Sequence, residues 1–157
     1  MKLRRVFVWL LAASILAPLA SAADAPPAAS AQPAPENEKK TELELRMDRM
    51  GKAFRKLKKQ VSDPAQNASS LQLVATMQAA AKEAVDLTPE KAQDLPADQR
   101  PKFIEDYRAG IKGLLDRFDQ LQEALTAGKN DEAAKLVSAL GDYQKKEHKE
   151  FRKPKDN

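Results

Sequence analysis

Prolines divide this chain more sharply than any other residue type. Beyond residue 38 they stand at Pro64, Pro89, Pro96, Pro101 and Pro154, each between stretches whose apolar residues recur every three or four positions. A proline inside a helix removes a backbone hydrogen bond and collides with the preceding turn, so helices must start or stop at these points. The punctuation predicts four helices. The first runs from about Lys39 to Val61, with Leu43, Met47, Met50, Phe54, Leu57 and Val61 on one stripe, and Ser62-Asp63-Pro64 ends it. Asn67 to Ser70 are expected to cap the second helix, which carries Leu73, Met77, Ala80, Ala84 and Leu87 inward. A longer connection spans Thr88 to Arg100. Pro101 is tolerated at the start of the third helix, where its missing N–H costs nothing. Ile104, Tyr107, Ile111, Leu114, Phe118, Leu121 and Leu125 then form the cleanest stripe in the chain, closed by Gly128. Asn130 or Asp131 is expected to cap the fourth helix. Its inner face takes Leu136, Val137, Leu140, Tyr143 or Gln144, His148 and Phe151, before Pro154.

Two N-terminal segments stand apart from this pattern. Lys2, Arg4 and Arg5 precede an apolar run from Val6 to about Ala20 that ends in Ala20-Ser21-Ala22, the pattern of a secretory signal peptide over residues 1–22. The run is short for a bilayer span, and the Ala-x-Ala ending suits cleavage. A flexible linker rich in Ala and Pro follows at 23–38, with Pro26, Pro27, Pro33 and Pro35 too close together for helix or sheet. The folded part is then 39–153, enough for one small domain. There is no cysteine, which excludes disulfides, thiolate metal sites and a lipid anchor at the cleavage point. The expected compartment is the periplasm, with no stable membrane association after cleavage.

Removing the leader takes three bases from the 27 Lys and Arg, against 23 Asp and Glu, so the net charge falls from +4 to about +1. A general nucleic-acid binder needs a larger basic surplus than that. Charge is nevertheless uneven. Lys145, Lys146, Lys149, Arg152, Lys153 and Lys155 crowd the end, and Glu36, Glu38, Glu42, Glu44 and Asp48 the beginning of the helical part. Helix dipoles favour that bias, and a docking surface for a redox partner is the functional alternative.

Four amphipathic helices with short loops pack most simply as an all-α, antiparallel up-down-up-down four-helix bundle. In that topology the first and fourth helices are neighbours, and the single histidine, His148, comes to the same end as Met47 and Met50. Its spacing from Val137 and Gly141 places the imidazole inward. A thioether and an imidazole facing each other across a helical core are the axial pair of a six-coordinate haem iron suited to electron transfer. With no Cys-x-x-Cys-His the haem must be noncovalent and b-type. Periodicity leaves Met47 and Met50 both open as the sulfur donor, each also able to serve as core filler. Met77 is expected to pack, and Phe54, Tyr107, Ile111 and Leu114 are candidates for pocket walls. Tyr107 has a plainer reading as a bundle aromatic whose hydroxyl reaches water.

Short segments then carry a likeness. Leu43-Glu44-Leu45-Arg46-Met47 opens the first helix, Met77-Gln78-Ala79-Ala80-Ala81 and Thr88-Pro89 mark the second and its exit, and Tyr107-Arg108-Ala109-Gly110 lies in the third. Gly128-Lys129 with Glu132-Ala133 leads into the fourth, which ends in His148-Lys149-Glu150-Phe151-Arg152. In order and spacing, from about Leu43 to Arg152, the chain resembles the soluble cytochrome b562 family of periplasmic four-helix haem proteins. The resemblance implies Met47 as sixth ligand, His148 as proximal ligand, and Arg152 at a basic position near a propionate, where a solvated helix-end charge is the alternative. Gln144 departs from the pattern, standing where well-known members carry an arginine near the haem.

These readings imply a monomeric electron carrier with one haem b per chain and an unidentified redox partner. A soft thioether and an apolar setting both favour ferrous iron and raise the potential. The competing expectation is a haem-free bundle of the same descent acting as an interaction or chaperone-like module. Enzymatic chemistry is not expected: one histidine cannot supply the paired Glu-x-x-His elements of a di-iron bundle, and no nucleophile-base arrangement or glycine-rich phosphate loop is present.

Overall fold

The computed structural model describes residues 40–154, so the expected leader (1–22) and linker (23–38) lie outside the described residues. Four helices follow in order: α1 Glu42–Gln60, α2 Asn67–Ala84, α3 Arg100–Thr126 and α4 Asn130–Phe151, with 3₁₀ turns at Pro64–Gln66 and Glu90–Asp94. Helix α1 begins three residues later than its periodicity predicts, because Thr41 caps it. The Thr41 hydroxyl accepts from the Glu44 N–H at 3.3 Å while the Glu44 carboxylate accepts from the Thr41 N–H at 3.0 Å. This reciprocal box was readable in the sequence as Thr-x-x-Glu.

The expected caps of α2 and α4 are corrected. Neither helix has a side-chain cap. The Asn67 and Asn130 amides instead bond reciprocally, at 3.2 and 2.7 Å, and reach the carbonyls of Leu125 (3.3 Å) and Val61 (2.8 Å). Ser70, fully buried, accepts from the Gln60 amide at 3.0 Å. The reason is burial: at this end the carbonyls that finish α1 and α3 face protein, and a buried unpaired carbonyl costs more than a helix N-terminus open to water.

The other boundaries follow the sequence. Pro101 sits in the first turn of α3, and Gly128 ends that helix with φ 68°. The Lys129 N–H reaches back to Ala124 O at 2.9 Å and the Gly128 N–H to Leu125 O at 3.1 Å, a Schellman closure. Within the expected Thr88–Arg100 connection, the 3₁₀ turn Glu90–Asp94 buries Ala92.

Cross-helix contacts set the direction of each element. Gln60 meets Ser70 and Arg46 pairs with Glu83, so α2 runs back along α1. Tyr107 bonds Ala84 O and Asn67 bonds Leu125 O, which reverses α3 on α2. Tyr143 bonds Gly110 O and Phe151 stacks edge-on against Phe103 at 5.3 Å, which reverses α4 on α3. The core between them is close-packed, with Leu57, Val74, Met77, Leu121 and Leu125 at 1% exposure or less. Val74 occupies the centre of α2, while Leu73 and Leu87 are only half-buried. Among the described residues no helix is long and apolar enough to cross a membrane.

Candidate functional site

Sequential helices pack closely along one another, whereas the backbones of α1 and α4 approach less closely. Their seam is tied at one end by the Asn130 amide on Val61 O and, further along, by Phe54. A Cβ placed on Gly141 would lie 3.8 Å from Phe54 Cζ, so α4 has no side chain where the Phe54 ring meets it. That contact sets the register of the antiparallel pair. Seven residues back along α1 from Phe54 is Met47, and seven residues forward along α4 from Gly141 is His148. Each step climbs about 10 Å and returns to within roughly 20° of the same face. Ideal helix geometry thus carries both seven-residue steps toward the same end of the bundle.

Between the Phe54–Gly141 contact and that end, the same register sets Gly51 opposite Gln144. A Cβ on Gly51 would meet only Arg55 Nη1, at 3.4 Å, with nothing from α4 within 4 Å. An open strip thus lies beside Gly51. Below it the seam continues as a groove between Phe54, Lys58 and Val61 on one side and Val137, Gly141 and Gln144 on the other. A thioether and an imidazole are the donor types a haem iron takes, and the lack of a side chain at Gly51 leaves space on this edge of α1.

The two candidate sulfur donors differ in setting. Met50 is buried in the central core at 7% exposure, whereas Met47 is half-buried and packs on the core from its rim. Phe54, Tyr107 and Ile111, three expected wall residues, are buried at 7%, 3% and 6%, and Leu114 is half-buried. Tyr107 is not the water-facing aromatic of its plainer reading: its hydroxyl donates to Ala84 O at 2.9 Å, and burial pushes its pKa up.

The expectation of an inward imidazole is corrected, because His148 is exposed. The central line of α4 passes through Val137 and Leu140 to Glu147 and Phe151, and His148 lies one residue, about 100°, off Glu147. It continues the edge stripe of Gly141 and Gln144 beside α1. Desolvation on its inner side, and then the Arg152 guanidinium, hold the imidazole pKa below its ordinary value. Arg152 is itself exposed and ends α4 as its extended C-cap.

Sequence reasoning missed the device that seats the last turns of α4. Gly110 and Gly113, three apart on α3, make a notch: the Glu147 carboxylate fills the space of a Gly110 Cβ, and the Tyr143 hydroxyl lies 2.9 Å from where a Gly113 Cβ would be. Tyr143 donates to Gly110 O at 2.7 Å and carries Arg117 over its ring at 3.9 Å. Burial in this notch, ahead of nearby charges, raises the Glu147 pKa. From the long connection, Lys91 donates to Glu150 O and Asp94 pairs with Lys153. The glycine pair was the available signal; nothing in the sequence marked Lys91.

A protein-family model described as Cytochrome b562 matches residues 42–152, from the first residue of α1 to the C-cap of α4. No curated protein matches the chain.

Proposed function

The chain belongs to the cytochrome b562 family, and from that premise we propose that it is a periplasmic electron carrier holding one noncovalent haem b between α1 and α4. The observation that supports this reading is the Phe54–Gly141 contact, since equal seven-residue steps from it lead to Met47 on α1 and His148 on α4. Met47 is the sulfur donor in preference to Met50, since it lies on the rim of the core while Met50 fills the centre. His148 supplies an imidazole nitrogen. Its exposure leaves the ring free to change rotamer, a motion of picoseconds to nanoseconds for an exposed side chain. Gly51 leaves room on α1, and Phe54, Tyr107 and Ile111 present apolar surface that excludes water. Arg152, at the exposed end of α4, is placed for a carboxylate, and Gln144 offers a neutral hydrogen-bonding group where an arginine would add charge.

When bound, the haem supplies one-electron ferric/ferrous chemistry. The chain's own work would be to hold the group through Met47 and His148 within a rigid surround, so that the helices need not rearrange. No enzymatic step belongs to this reading. The protein acts as a monomer, and export through the leader at 1–22 delivers it to its compartment.

The test is an absorbance spectrum of the mature protein, oxidised and then reduced with dithionite, with haem supplied during expression. A Soret band with sharp reduced α and β bands is expected, turning high-spin in His148→Ala and in Met47→Ala but not in Met50→Leu. Absence of a Soret band, with stability indifferent to His148→Ala, would establish the haem-free bundle instead.

A further inference from the structure

Residues 52–59 of α1 carry Lys52, Arg55, Lys56, Lys58 and Lys59 and no acid. All five are exposed, none forms an ion pair among the described residues, and together they line one shallow depression. Lys52, Arg55, Lys56 and Lys59 recur at three- and four-residue steps, making one stripe about 10 Å long on the outer face. Lys58 flanks it, with Nζ 5.7 Å from the Phe54 ring centroid, and reaches into the groove between α1 and α4. At other places on the surface bases stand beside acids, as in Lys102 with Asp106, Lys129 with Glu132 and Lys145 with Asp142, and the basic end of α4 includes Glu147 and Glu150 among its cations. The helix dipole accounts for Lys58 and Lys59 in the last turn, but it fades before Lys52 and Arg55. Like charges three and four residues apart repel, so the free chain holds a strain that an anionic surface relieves.

We infer that the outer face of α1 is a docking surface for an acidic protein, engaged through several carboxylates at once. The stripe has no aromatic side chain to stack on a base and no apolar one to enter an acyl layer, because the apolar face of α1 is committed to the core. With net charge near zero after loss of the leader, the rest of the molecule adds little pull on an extended polyanion. Docking itself needs no cofactor. Its use in passing electrons rests on the function proposed above, because Lys58 joins the stripe to the seam where the haem is placed.

The probe is an acidic peptide of about twelve Glu and Asp residues, titrated into the isotope-labelled mature protein at low salt and at about 0.3 M salt, where exposed charges are screened. Amide shifts centred on residues 52–59 are expected, vanishing at high salt. In K52Q/K56Q/K59Q, whose substitutions keep good helix formers on an exposed face, affinity should fall roughly tenfold, since three exposed pairs are lost. K82Q/K112Q/K135Q, which removes the same charge elsewhere, should bind as the parent does. Shifts centred elsewhere, equal weakening by both triple variants, or tighter binding of an oligonucleotide or anionic vesicles than of the peptide would overturn the inference. Repeating the titration on haem-free protein separates the two readings: a protein with no Soret band that still binds the peptide at α1 refutes the electron carrier alone.

Discussion

Replacing Gly51 by leucine should move stability and haem affinity in opposite directions. Gly51 lies inside α1, and its φ is not positive, so a side chain can be added without backbone strain. A Cβ there meets only the far end of the Arg55 side chain, at 3.4 Å, which can swing aside. Leucine in place of glycine gains about 0.8 kcal/mol of helix propensity, because the unfolded chain loses backbone freedom. For a domain of this size that corresponds to a rise of about 3–5 °C in the Tm of the haem-free protein. The same isobutyl group occupies the open strip beside Gly51, where the macrocycle is proposed to lie. Overpacking a site of that kind costs about 1–3 kcal/mol, so haem titration followed at the Soret maximum should give at least about a fivefold loss of affinity. Gly51→Ala should share most of the stability gain with a smaller affinity loss. A Tm that rises while haem affinity stays unchanged would sink the placement of haem in this seam. A Tm that falls would show that Gly51 faces something other than open space.

Other substitutions test the scaffold. Tyr107→Phe removes the bond to Ala84 O and should cost about 1 kcal/mol in urea unfolding at neutral pH. Burial raises the pKa of Tyr107, and burial ahead of Glu147 raises that of Tyr143, so above pH 10 the unfolded chain ionises first and the folded state holds more protons. The stability these hydroxyls contribute is complete below pH 10 and lost as the pH rises, and the alkaline limb should be shallower in Tyr107→Phe than in the parent. Asn130→Ala strands the Val61 carbonyl and one side of the Asn67 amide in a buried setting; a loss of about 2–3 kcal/mol is expected, read as a lower urea midpoint at unchanged m. Gly128→Ala forces φ 68° on an L side chain and should cost about 1 kcal/mol, an effect absent from an alanine scan of exposed α3 positions.

Local rules made much of the architecture legible. Prolines and Gly128 act on their own turn of chain, and the stripes of α1 and α3 record burial directly, so Phe54, Leu57, Tyr107, Ile111 and Phe118 all emerge in the core as their spacing predicts. The caps were misread for the opposite reason. Asn67 and Asn130 have the side chains of good N-caps, yet partners 63 residues apart in sequence take their hydrogen bonds, and no window along the chain contains that competition. The last turns of α4 fared similarly. Periodicity cannot separate the centre of a helical face from its edge to better than one residue, and at 100° per residue that difference moves His148 from the core to the rim.

By itself, then, the order of residues determined that four helices form, where most of them end, which stripes they bury, and that one imidazole and one of two thioethers reach the same end of a bundle. Those properties depend on neighbours within a turn or two of the chain. Only the packed molecule decided where α1 meets α4, with Phe54 resting against the missing side chain of Gly141. It also decided that the α3 glycines seat Tyr143 and Glu147, and that five cations on α1 form no ion pair among the described residues. Each of these rests on contacts between segments far apart in the chain, whose geometry exists only once every helix has found its neighbours.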